Sequence, residues 1–125
     1  MPFTSLGLSS ALVKALADQN FTAPTPIQHA AIPAILNKKD VLGIAKTGSG
    51  KTAGYVLPIL MNTLKLAAVK NRHVNVLVLV PTRELAVQVS EVFQLFGRGL
   101  MPSLKSMAVY GGVSINPQMM GLQGV

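Results

Sequence analysis

The sequence predicts an α/β protein: a doubly wound, mostly parallel sheet, truncated to three strands, with helices packed on its faces. Short apolar runs at residues 41–45, 74–80 and 106–110 alternate with longer stretches of helical periodicity. The second run is almost continuously apolar, as strands buried on both faces of a parallel sheet are. A glycine-rich loop, Ala45-Lys46-Thr47-Gly48-Ser49-Gly50-Lys51-Thr52, leaves the first run and opens the next helix, the strand–loop–helix order of a right-handed crossover.

Each element has local reasons. Ser9 or Ser10 caps a first helix through Gln19, with Leu12, Val13 and Leu16 on one face and Asn20 placed where a left-handed residue ends a helix. In a second helix Thr25 is the N-cap, Pro26 takes the first helical position, and Gln28 stands where the reciprocal residue of a capping box belongs. Its apolar face is read as Ile27, Ala31 and Ile35, with Pro33 expected to kink or shorten it. Further helices are predicted from Lys51 to about residue 69, before a polar loop at 70–73, and from Arg83 to Phe96. No closing element is predicted at residues 121–125, so the sheet is expected to be unfinished and its uncovered edge to favour self-association.

The chain has 125 residues, one domain at most, with 11 Lys+Arg against 4 Asp+Glu and no cysteine. Disulfide and thiol chemistry are excluded, and His29 and His73 lack the spacing of a metal site. No apolar run approaches the ~18 residues of a membrane span, and the first ten residues lack the pattern of a signal peptide, which predicts a soluble cytoplasmic protein without a membrane partner. The net charge of +7 suits a polyanionic partner, but the basic residues are scattered, so motifs must decide.

The loop at 45–52 is the most specific of them. Gly48 and Gly50 let the backbone curl so that successive N–H groups converge on a phosphate, and the helix N-terminus adds its dipole. Lys51 reaches the outer phosphates and Thr52 offers a hydroxyl to Mg²⁺. The general pattern has glycine at the first position, where this chain has Ala45.

The flanks narrow the reading. Phe3 and NFTAPTPIQ (residues 20–28) precede AKTGSGKT; PTRELA (81–86) and Gly111-Gly112 follow it, at the ends of the second and third apolar runs. In this order, along the whole chain, these motifs resemble the first part of the ATP-binding RecA-like domain of DEAD-box RNA helicases, a P-loop NTPase fold. The opening MPFTSLGLSSALVKAL resembles the bacterial RhlE-like branch. The resemblance implies ATP and Mg²⁺ as cofactors and RNA as partner. It assigns adenine recognition to Gln28, adenine stacking to Phe21, a supporting packing role to Phe3, and RNA-backbone contacts to Pro81, Thr82, Arg83, Gly111 and Gly112.

Elementary chemistry leaves two readings open at each of these positions. The Gln28 amide donates and accepts at once and so matches the N6 and N7 edge of adenine, but it also suits the capping box. Phe3 and Phe21 suit the core, and Thr82 is a helix cap beside a solvated Arg83 and Glu84. The acids are Asp18, Asp40, Glu84 and Glu91, none following an apolar run as a Mg²⁺-holding aspartate would. The family's Asp-Glu-Ala-Asp and Ser-Ala-Thr motifs and its second RecA-like domain are not in the sequence. Residues 1–125 are therefore expected to be the N-terminal portion of a helicase that couples ATP hydrolysis to RNA unwinding, inactive alone. The alternatives are a nucleotide- or RNA-binding module without turnover, or another P-loop NTPase class.

Overall fold

The computed structural model describes residues 2–66, 75–98, 100, 106–111 and 115–121. Residues 67–74, Gly112 and residues 122–125, on which parts of the predicted third helix, second strand and glycine pair fall, lie outside the described residues. A single 3₁₀ turn, Phe3–Leu6, leads into five α-helices among the described residues: α1 (Ser10–Asp18), α2 (Pro26–Leu36), α3 (Lys51–Leu66), α4 (Arg83–Gly97) and α5 (Ile115–Gly121).

Capping chemistry sets the first boundaries. Ser9 caps α1 by accepting from the Leu12 amide at 3.3 Å. The helix ends in a left-handed Asn20 (φ 65°), with the Asn20 amide on the Ala17 carbonyl at 3.0 Å and the Phe21 amide on the Leu16 carbonyl at 2.9 Å. That pair of bonds is the Schellman pattern, and it fixes where the Phe21 ring leaves the chain. α2 closes in the same way around Lys38 (φ 60°), whose amide reaches Ile35 at 2.9 Å while Lys39 reaches Ala34 at 3.1 Å. The Ile35 carbonyl also accepts from Asn62 Nδ2 at 3.0 Å, which fastens the end of α2 to α3.

The predicted apolar face of α2 is displaced. Its buried residues are Gln28, Ala31 and Ile32, while Ile27 and Ile35 are only half-buried. The helix rolls so that Ile32, fully buried, meets α3, its principal partner. Pro33 neither ends nor shortens α2, which continues to Leu36. The proline removes one amide bond, and the burial of Ile32 beside it, worth ~1.5–3 kcal/mol, offsets much of that loss.

The core is made by helices. Leu12 and Leu16 of α1, Ile32 of α2, Ala53, Val56, Leu57 and Leu60 of α3 and Phe96 of α4 form one cluster with Phe3, Leu6, Leu8 and Leu100. α5 was not anticipated: Ile115 and Met119 are exposed and carry no core periodicity, and the one signal in its sequence is Pro117 in the first turn.

No hydrogen-bonded strand ladder is present among the described residues, so residues 41–45, 75–80 and 106–110 do not form the predicted strands there. Leu42, Ile44, Leu77 and Leu79 are 78–88% exposed. An apolar run records surface that calls for burial, whereas a strand also requires a neighbouring backbone ~4.8 Å away to pair its amides. Among the described residues no helix is long and apolar enough to cross a membrane.

Candidate nucleotide-binding site

The loop at 45–52 turns sharply before α3. The Ser49 amide donates to the Lys46 carbonyl at 3.1 Å, and Gly48 and Gly50 both take left-handed backbone, at φ 83° and 85°. Only glycine adopts that conformation without steric cost, which is why glycine stands at both places. Lys51 is exposed at the first position of α3, and Thr52 beside it is half-buried. Ala45 and Ser49 are half-buried, and Lys46 and Thr47 are exposed.

Gln28 ties this loop to α2. Its Oε1 accepts from the Thr25 amide at 3.0 Å and the Thr25 Oγ1 accepts from the Gln28 amide at 3.4 Å, completing the capping box. At the other end of the same amide, Nε2 donates to the Gly50 carbonyl at 3.1 Å. That carbonyl also accepts from the Gly54 amide at 3.1 Å, so both of its lone pairs are used. Gln28 is fully buried. Gly50 is pressed against it: a Cβ there would overlap Gln28 Nε2 and come within 3.2 Å of Gln28 Cδ and Thr25 Oγ1. The cap was legible in the sequence, but the bond to Gly50 was not, because it joins residues 22 positions apart.

Phe21 packs edge-on against Phe96 of α4, ring centroids 6.1 Å apart at 64°, and remains half-buried, so its ring is shared between core and surface. Phe3 is 4% exposed within the core cluster, as its core-packing alternative expects. Thr82 caps α4, accepting from the Leu85 amide at 3.1 Å, and Pro81, Thr82 and Arg83 are all exposed. Gly111 is exposed, with open space where a Cβ would stand. A groove missed by sequence reasoning, about 270 Å³, separates α4 from residues 106–110 and is lined by Ser90, Glu91, Gln94, Ser106 and Tyr110. Tyr110 is tied to α5, where Gln118 Oε1 accepts from the Tyr110 amide at 2.8 Å.

Residues 25–125 match the family model described as DEAD/DEAH box helicase. The chain belongs to that family. It is 47% identical over 123 residues to the ATP-dependent RNA helicase DeaD of Buchnera aphidicola subsp. Baizongia pistaciae, covering 98% of this chain and 20% of that protein. It is 44% identical over 117 residues to the DEAD-box ATP-dependent RNA helicase RhpA of Helicobacter pylori strain B128, covering 93% of this chain and 22% of that one. The chain thus spans about a fifth of the length of these curated relatives.

Two solved DEAD-box relatives share its fold. The RNA helicase Prp28 from Chaetomium thermophilum, bound to ADP, superimposes with a TM-score of 0.84 at 33% identity, covering 98% of this chain and 30% of that one. A DEAD box protein from the hyperthermophile Methanococcus jannaschii gives 0.76 at 32% identity, covering 99% and 32%. The helices described above are therefore those of a DEAD-box helicase RecA-like domain.

The link between α2 and the loop has a measurable consequence for the DEAD-box chain. Gln28→Ala removes one half of the capping box and leaves the Thr25 amide without its partner, and is expected to cost ~2–3 kcal/mol by urea denaturation. Gly50→Ala is expected to cost at least as much, through its positive φ and the overlap with Gln28. The two losses should not add: once the amide is gone the new Cβ has room, so the double variant should be ~1 kcal/mol or more stabler than the sum of the singles implies. Simple additivity would show that Gln28 and Gly50 do not restrain each other.

Proposed function

We propose that the chain carries the adenine-nucleotide site and RNA-backbone contacts of a DEAD-box ATP-dependent RNA helicase. The observation that supports this most directly is the phosphate loop at the start of α3, coupled through one buried amide to the capping box of α2. Relatives matching nearly the whole chain are named ATP-dependent RNA helicases, and the relative Prp28 was solved with ADP.

The residues fit such a ligand. The loop from Ala45 to Gly50 contains basic and hydroxyl side chains but no carboxylate, two glycines already hold the curled backbone, and the Ser49 hydroxyl is shielded from solvent without a partner. The amides of Lys46, Thr47, Gly48 and Gly50 are the candidates to surround the phosphates, joined by that of Ser49 once it leaves the Lys46 carbonyl it serves in the free chain, with Lys51 to neutralise the outer phosphates and Thr52 to hold Mg²⁺. Gln28 has one further lone pair on Oε1 and one further hydrogen on Nε2, the complement an adenine edge requires; because the side chain is fully buried, its recognition of the base requires that edge to be uncovered on binding. The half-exposed Phe21 is placed for stacking on the base. Bound ATP with Mg²⁺ supplies a phosphoanhydride whose leaving charge the metal neutralises. Lys51 and Thr52 bind and orient; Asp18, Asp40, Glu84 and Glu91 are all exposed, and none is read as holding the metal or the attacking water. These residues alone are therefore proposed to bind without turnover.

Pro81, Thr82 and Arg83 at the start of α4, with Gly111 and Gly112, are proposed to contact RNA phosphates without reading bases. We propose as well the RhlE-like branch, from the opening sixteen residues; a cytoplasmic location; residues 1–125 as the N-terminal portion of the RecA-like domain; and the doubly wound sheet, with residues 41–45, 74–80 and 106–110 as its strands once their neighbours pair with them. The exposed Leu42, Ile44, Leu77 and Leu79 favour self-association in the meantime.

Calorimetry with ATP and GTP tests the site. The chain is expected to prefer ATP, and Lys51→Ala to bind at least tenfold more weakly with an unchanged circular-dichroism spectrum, because an exposed lysine adds little to packing. No phosphate release is expected with or without RNA; release lost in Lys51→Ala would refute the assignment of roles. RNA affinity, followed by fluorescence anisotropy across salt concentrations, is expected to be weak, and Arg83→Ala to flatten the log–log slope by ~0.7, one single-strand phosphate contact. An unchanged slope would remove Arg83 from the interface. Sedimentation velocity is expected to show concentration-dependent oligomers, and a monodisperse monomer at high concentration would count against uncovered apolar segments.

A further inference from the structure

We propose that Phe96, a core residue of α4, is a positioning residue for nucleotide recognition: its ring holds Phe21 in the orientation in which Phe21 stacks on the base. This rests on the reading of Phe21 as the base-stacking ring. The two rings meet edge-on, with centroids 6.1 Å apart at 64°, but they are differently placed: Phe96 is 2% exposed, whereas Phe21 is half-buried. One ring is anchored in the core, and the other stands between core and solvent.

The backbone at Phe21 is set independently of this contact. The left-handed Asn20 (φ 65°) and the bond from the Phe21 amide to the Leu16 carbonyl at 2.9 Å fix where the side chain begins. What they leave free is the ring, whose terminal torsion is broad. Phe96 restrains it, because an aromatic pair favours edge-to-face or offset geometry, a directional preference that an aliphatic neighbour lacks. Burial alone does not call for an aromatic residue at 96. Apart from Phe3 and Phe96, the buried members of the same cluster are Leu, Ile, Val and Ala. Phe93, one turn earlier on α4, packs half-buried against that cluster and forms no ring pair among the described residues. A ring already held in place needs no ordering when the base arrives, and ordering one side chain on binding lowers affinity about two- to twelvefold.

The test separates positioning from packing. Calorimetric titrations compare ADP with inorganic pyrophosphate, which lacks the base, for the unaltered chain, Phe96→Leu, Phe96→Ile as a second aliphatic filling of the same space, and Phe93→Leu as a control. Phe96→Leu and Phe96→Ile are expected to bind ADP about fivefold more weakly with pyrophosphate unchanged, and Phe93→Leu to alter neither. In a Phe21→Ala background, Phe96→Leu is expected to cost no further ADP affinity, because the ring it positions is gone. The chain has no tryptophan, so Phe21→Trp introduces a single indole, whose time-resolved fluorescence anisotropy without ligand is expected to gain a fast component when Phe96→Leu is added. Unchanged ADP affinity in both Phe96 variants, or an indole equally restrained with and without Phe96, overturns the positioning role alone. So does an equal loss of ADP and pyrophosphate, which is the behaviour of a core residue whose removal loosens the whole site. A Phe21→Ala chain that binds ADP as tightly as the unaltered one overturns the base-stacking reading together with the inference built on it.

Discussion

The architecture around the loop at 45–52 depends on one buried amide. Gln28 is fully inaccessible, and a primary amide there must find partners for both its oxygen and its nitrogen or lose several kcal/mol of hydration, on the order of 1–3 for each unpaired group. It finds one in the Thr25 amide and the other in the Gly50 carbonyl. The start of α2 and the start of α3 are consequently fixed against each other by a group too short to let either drift. Gly50 can have no side chain because that space holds the amide. The loop's curvature, the capping box and the register of α2 on α3 are thus one solution to one desolvation problem.

The rest of the packing supports that junction. α3 is central: Ala53, Val56, Leu57 and Leu60 meet Ile32 of α2 on one side, and α4 packs against the same helix. Asn62 closes the far end of the α2–α3 pair by satisfying the Ile35 carbonyl. Apolar burial supplies the larger share of the energy, and the polar links fix the rotation of α2. The displaced face of α2 illustrates this. Rolling Gln28, Ala31 and Ile32 inward buries fewer large apolar atoms than Ile27, Ala31 and Ile35 would, but it is the rotation in which the amide reaches both partners.

Chemistry is segregated from this core. Lys51, Arg83, Lys46 and the four acids are exposed, so the ionisable groups remain in water and the fold carries no desolvated charge on their account. The loop's proposed capacity for an anion rests instead on backbone geometry and a helix terminus. Such a site is inexpensive to hold ready, because the positive charge that attracts the ligand is not itself buried. Among the residues assigned to binding, Lys51 and Arg83 accordingly contribute little to packing, whereas Gln28 and Phe21 also hold the fold.

Local rules and long-range packing divide what was legible. Sequence by itself determined the family, through motifs in a fixed order, and the starts of α1, α2 and α4 with the end of α1: Ser9, Thr25 and Thr82 cap within three residues, and Asn20 ends α1 through bonds to the preceding turn. Each of those interactions is short in sequence, so residue type and spacing suffice. Tertiary structure alone decided the roll of α2, the bond from Gln28 to Gly50, the edge-on meeting of Phe21 with Phe96, and the isolation of the Ser49 hydroxyl. These depend on which distant groups arrive at one place and which of them have already found partners. The strand-like runs belong to neither class completely: their apolar composition is written in the sequence, but pairing them is a property of two backbones at once.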